Sequence, residues 1–261
     1  MLWEFYFSNG RTFMKKFLSI IFVLLLSLFC CSCFPNLDNQ DGSSSTPPPQ
    51  ANNVDFSNLT YLAFGDSITA GDPYGNTSSY PYLTSQLLNC KLINKGFGGS
   101  TLAFYSARRN IANDIINFPI DNNYDIISVT GGTNDHNYNR ALGTVNDYNN
   151  DTVYGALNII CDSLKNRCPN AFIFLITPIP NSECYSNNDA GYKLVDIANI
   201  IKVIGYNHNI PVLDLYNLSE FEKAPNGMYS SGCDGCHPTK DFAENNIAPI
   251  VAQFIKDNYN K

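Results

Sequence analysis

The chain has 261 residues, 44% of them hydrophobic, and a formal net charge of −7 at pH 7. That length and apolar content suffice for one large domain with a full core, which excludes disorder throughout. Phosphate binding needs clustered cations; with 16 Lys and Arg against 23 Asp and Glu and no long basic run, nucleic acid is not expected as the main partner, and a neutral or weakly charged substrate fits better.

Lys15 and Lys16 precede an apolar run from Phe17 to Cys31, long enough for the hydrophobic part of a secretory signal but short for a membrane span. The protein is therefore expected to be exported, with its true start at Met1 or at Met14. The segment ends Ser27-Leu28-Phe29-Cys30-Cys31-Ser32-Cys33, and small residues just before a cysteine resemble the lipobox of bacterial lipoproteins. Cys33 is the expected lipidation site, with Cys31 as the alternative; ordinary cleavage would instead leave a secreted product. Residues 36–53 are polar and rich in Pro and Ser, so they cannot bury a core and read as a spacer holding the domain off a membrane. The expected organisation is an export segment over 1–33, a disordered linker over 34–53 and one folded domain over 54–261.

Within that domain short apolar runs alternate with longer segments of helical period, the pattern of a parallel sheet covered by helices on both faces. Strands are predicted at 60–66, 91–95, 124–131, 171–177 and 210–215, and helices near 80–89, 101–118, 150–167, 189–207 and 239–258. Asp125 to Thr130 and Ala171 to Thr177 have the β-branched and aromatic density of strands buried on both sides. Of the nine cysteines, Cys90, Cys161, Cys168, Cys184, Cys233 and Cys236 fall in the domain; export permits disulfides, but the spacing fixes no pairing.

The first strand breaks off at Gly65-Asp66-Ser67-Ile68-Thr69-Ala70-Gly71, placing Ser67 where open α/β sheets bind ligands, beyond the carboxyl end of a strand. A simpler role is an ordinary strand-to-helix turn, with Ser67 or Thr69 capping the helix. A serine hydroxyl needs a base to become a nucleophile, and acyl transfer needs donors aimed at the developing oxyanion. Three histidines are available. His208 reads as a surface residue in a polar turn, His136 follows the third strand and is placed to line a site, and His237 lies in a loop before the last helix with Asp234 three residues upstream. Asp234 is placed to hold the second imidazole nitrogen. Asn134, at the end of the third strand, offers an uncharged donor, and the glycines at 96, 98 and 99 let a backbone N–H approach a ligand.

Gly65 to Gly71 resembles the first block of the SGNH (GDSL-like) hydrolases, Asn94 to Thr101 the second, Gly132-Thr133-Asn134-Asp135 the third and Asp234-Gly235-Cys236-His237 the fifth, all in family order. Isoleucine follows Ser67 where the family has its eponymous leucine. The resemblance, spanning about residues 59–255, implies a flavodoxin-like three-layer α/β/α sandwich with a five-stranded parallel sheet. It implies Ser67 as nucleophile, His237 as base oriented by Asp234, and an oxyanion hole made by the N–H groups of Ser67 and Gly99 (or Gly98) and the Asn134 side chain. No cofactor or metal is required. The expected reaction is ester hydrolysis through an acyl-enzyme on Ser67. No long apolar lid separates the blocks, which favours short acyl groups such as O-acetyl esters of glycans, with Tyr74, Tyr80, Phe97, Tyr105, Tyr138 and Tyr185 at or near the rim. A lipase, lysophospholipase or thioesterase of the same family is the alternative. Two rivals come from other classes: a binding module without turnover, and a c-type haem protein attached through Cys233-x-x-Cys236-His237.

Overall fold

The computed structural model describes residues 54–120, 123–182, 184–218 and 235–259. The export segment, Cys31, Cys33, the Pro/Ser-rich stretch, Cys233 and Asp234 lie outside them.

Five parallel strands form one sheet in the order β2-β1-β3-β4-β5: β1 Thr60–Gly65, β2 Lys91–Gly96, β3 Ile126–Thr130, β4 Phe172–Ile176 and β5 Val212–Leu213. This is the flavodoxin-like order, whose switch point lies between the loops leaving β1 and β3. The register is set by apolar alternation. Leu62, Phe64, Ile127, Val129, Ile173 and Leu175 face one side, where they meet helices α3 Ile111–Asn117, α5 Val153–Arg167 and α6 Leu194–His208. Tyr61, Ala63, Ile126, Phe174 and Ile176 face the other, against α2 Tyr80–Leu88 and the C-terminal helix α7 Ala248–Asn258. Each central strand is thus covered on both faces, giving the three-layer sandwich. Two short helices complete the set, α1 Ser67–Ala70 and α4 Thr133–Asn137.

All five predicted strands are present, although β5 shrinks to two residues. The helices are trimmed: α5 starts at Val153 rather than 150, and α6 at Leu194 rather than 189. The last helix enters through a turn at Lys240–Phe242 and a π-helical segment Ala243–Ile247 before α7. Both α2 and α6 stop at an asparagine in the left-handed region, Asn89 at φ 54° and Asn209 at φ 53°, a conformation that Asn tolerates better than most residues.

The largest departure is the helix expected over 101–118, which begins only at Ile111. Residues 101–110 form an excursion pinched at its base by the Thr101–Asn110 bridge. Its buried Leu102 and Ala103 turn their N–H groups not to a helix but to the two oxygens of the Asp135 carboxylate, at 2.7 and 2.9 Å.

Cys90, Cys161 and Cys184 carry free thiols. Burial pushes Cys90 up to about 11 and Cys161 up to about 12, so neither is a nucleophile near neutral pH. Among the described residues no helix is long and apolar enough to cross a membrane.

Candidate active site

β1 ends at Gly65, and Asp66 caps α1 by accepting the Ile68 N–H at 3.0 Å. The cap is therefore Asp66, not Ser67 or Thr69. Thr69 is buried with its hydroxyl 3.4 Å from the Tyr80 hydroxyl, and Ser67 is left available at the first helical position, 7% exposed. Gly71, at φ 92°, ends the helix after one turn.

His237 approaches from 170 residues away. Its Nε2 lies 2.7 Å from Ser67 Oγ. The loop that carries it ends at Thr239, whose side chain accepts the Phe242 N–H at 3.1 Å and so fixes where the last helix begins. Asp234, expected behind the imidazole, lies outside the described residues.

The second block is stitched to α1. The Asn94 amide donates to the Thr69 carbonyl at 2.7 Å and to Asn76 Oδ1 at 2.8 Å, while its oxygen accepts the Gly96 N–H at 2.9 Å. The backbones at this seam touch, and a Cβ on Gly96 would collide with Thr69 and Ala70. Gly99 follows at φ 74°, where a side chain would be strained. Asn134 sits in the first turn of α4 and donates one amide hydrogen to the Ser100 carbonyl at 2.9 Å, which fixes the amide beside the second block and leaves the other hydrogen available. Ser67, Gly99 and Asn134 thus come from the loops leaving β1, β2 and β3, three neighbouring strands.

Other candidates resolve differently. His136 is 3% exposed, packed edge-on against Tyr192 with ring centroids 5.9 Å apart, so it belongs to the interior. His208 closes α6 and ties it to α5, with Nε2 2.8 Å from Asn158 Oδ1 and Nδ1 3.2 Å from Asp162. Tyr80, expected at the rim, is buried and bonds to Thr130 at 2.7 Å, whereas Tyr74, Phe97 and Tyr185 are exposed. Sequence reasoning missed Asp66 and Asp135. Their partners are backbone N–H groups that only the folded turn brings within reach.

Burial pushes the Asp66 carboxyl up to about 6, against the pull of the Ile68 N–H and of nearby His237. Burial raises Asp135 to about 6 as well, opposed by the N–H groups of Ala103 and Leu102. Both folded values exceed the usual 3.8. Their contribution to stability is therefore full below about pH 4 and is lost as pH rises through 6, on the order of 3 kcal/mol for each group. Asp66→Asn keeps a capping oxygen and removes one titration, so the fall in urea midpoint between pH 4 and 7 should be shallower in that variant; an unchanged slope would rule out Asp66 as a source.

A doubly wound sheet with a serine–histidine pair at its carboxyl edge is the layout of a serine hydrolase. The chain belongs to the GDSL-like lipase/acylhydrolase family, whose model matches residues 63–243. Among solved structures it is similar to one from Chitinophaga pinensis described as a possible lipase (25% identity, TM-score 0.62, 76% of this chain and 98% of that one). A protein from Lactobacillus plantarum is similar too (25%, 0.68, 79% and 100%). The lipase/acylhydrolase from Enterococcus faecalis shares the fold (19%, 0.58, 77% and 97%). No curated protein matches the chain.

Proposed function

We propose that this ester hydrolase is an exported, lipid-anchored serine esterase that removes short acyl groups, foremost O-acetyl, from carbohydrates. The observation that carries the chemistry is the 2.7 Å contact between Ser67 Oγ and His237 Nε2. In this reading His237 takes the Ser67 proton as the oxygen attacks the ester carbonyl. The oxyanion that forms is held by the N–H groups of Ser67 and Gly99 and by the second Asn134 amide hydrogen. The tetrahedral intermediate collapses as His237 passes its proton to the departing alcohol. Water then attacks the acyl-enzyme with His237 again as base, releasing the acid and restoring Ser67. The likeness to the family gives Asp234, outside the described residues, the role of orienting that imidazole.

Acyl length follows from the chain itself, in which the four blocks are separated by no long apolar insertion that would form a lid over a long acyl group. The anchor reading rests on the Cys33 motif and the polar spacer that follows it.

The test is a panel of 4-nitrophenyl acetate, butyrate and palmitate with acetylated polysaccharides, alongside a fluorophosphonate that labels active serines. Acetyl preference and labelling confined to the Ser67 peptide are expected. Palmitate preference would replace the substrate class, and labelling elsewhere would remove Ser67 as nucleophile.

A further inference from the structure

The excursion over 101–110 and the end of α4 build a stack of four side chains. The Arg108 guanidinium lies 4.9 Å from the Tyr138 ring centre, Tyr138 and Tyr105 are 5.5 Å apart at 34°, and the Arg140 guanidinium lies 4.7 Å from Tyr105. Two cations thus bracket two half-buried aromatic rings, each held by attraction to a ring face. Among the described residues neither guanidinium has a carboxylate partner, in contrast to Arg109, which pairs with Asp114 at 2.7 Å.

The stack adjoins the oxyanion donors. A Cβ placed on Gly99 would lie 3.4 Å from an Arg108 terminal nitrogen, and Tyr138 directly follows the helix that carries Asn134. Asp135 fastens the two parts together, since its carboxylate on α4 accepts the N–H groups of Leu102 and Ala103 at the start of the excursion. An ester bound with its carbonyl at Gly99 and Asn134 therefore has part of its body beside Arg108.

We propose that Arg108 forms a subsite for an anionic group on the substrate, with Arg140 steadying the ring stack from its far end, so that the preferred ester is one whose alcohol carries a carboxylate or phosphate, as in an acidic sugar. The inference rests on the esterase reading and narrows its substrate class. Composition points instead to a neutral or weakly charged substrate; a net charge of −7 averages over the surface and hides an exposed arginine beside the oxyanion donors. The planar guanidinium fork offers paired donors to two anionic oxygens, and its place on an aromatic face reduces the ordering that binding requires.

The experiment compares kcat/KM for acetylated methyl glucoside, methyl glucuronoside and methyl glucoside 6-phosphate. At least one anionic ester should exceed the neutral one, and Arg108→Ala should cut that preference by roughly 10–100-fold, with Arg108→Lys between and Arg140→Gln weaker. The arm that responds identifies carboxylate or phosphate as the group read. Arg108 is exposed, so its truncation removes no core packing, and an unchanged melting temperature checks this. Equal turnover of all three esters, or a preference that survives Arg108→Ala, overturns the subsite while leaving the esterase reading intact. If no ester, 4-nitrophenyl acetate included, turns over in a Ser67-dependent way, the esterase reading fails instead. The subsite is then still read by NMR titration with methyl glucuronoside and methyl glucoside 6-phosphate: binding of either that weakens in Arg108→Ala supports it, and no binding, or binding equally strong in the wild type and Arg108→Ala, removes it.

Discussion

Replacing Ser67 by alanine should lower kcat for an acetyl ester by about 10⁴-fold or more, replacing His237 should cost a similar factor, and the double variant should fall little further. The lack of additivity follows from the 2.7 Å contact: the base has no proton to take without the hydroxyl, and the hydroxyl stays a poor nucleophile without the base. A residual rate above that in water is expected from the oxyanion donors alone. Single-turnover kinetics with 4-nitrophenyl acetate measure all three variants. Losses that multiply in the double variant would mean that the two residues act separately, and the pair would then not be a catalytic unit.

The second large effect is expected at Asn134. Asn134→Ala removes the donor fixed against the Ser100 carbonyl and should lower kcat by about 10²–10³-fold, or roughly 2.7–4 kcal/mol, with KM nearly unchanged, because the interaction strengthens only as negative charge develops. Asn134→Asp should be worse at neutral pH, since a nearly isosteric carboxylate puts negative charge where the oxyanion forms. Asn134 is half-buried at the start of a five-residue helix, so thermal unfolding should shift little in either variant. A rise in KM with kcat intact would place this amide in ground-state binding instead.

How much of this was legible depends on how local the determining contacts are. β3 and β4 announce themselves because strands buried on both faces need unbroken apolar runs, and Ile126 to Val129 and Phe172 to Ile176 supply them. The carboxyl ends of β1, β2 and β3 then put Ser67, Gly99 and Asn134 on one edge. The pairing of Ser67 with His237 spans 170 residues, and no local pattern encodes it; it was readable only from the likeness of four blocks to a known family. The helix expected over 101–118 failed for a related reason. Leu102 and Ala103 are buried as helix residues would be, but their hydrogen bonds go to Asp135, 33 and 32 residues away, and nothing near position 102 signals that partner. Asp66 was overlooked as a cap because Ser67 and Thr69, equally good capping types, stand beside it. Tyr80 was expected at the rim by its position in a loop-adjacent segment, yet the hydroxyls of Thr130 and Thr69 draw it inward.

The clasp of Asp135 on residues 102 and 103, together with the Thr101–Asn110 bridge, has a consequence for where this chain can change. Both fastenings sit at the neck of the excursion, and Phe104 and Arg109 are tied back to Asn150 and Asp114, so the tip from Tyr105 to Arg108 meets the scaffold through its side chains. Insertion, deletion or exchange there alters what the enzyme meets at its mouth while the serine, the imidazole and their support keep their places. Selection can thus retune what is recognised separately from how the bond is cut.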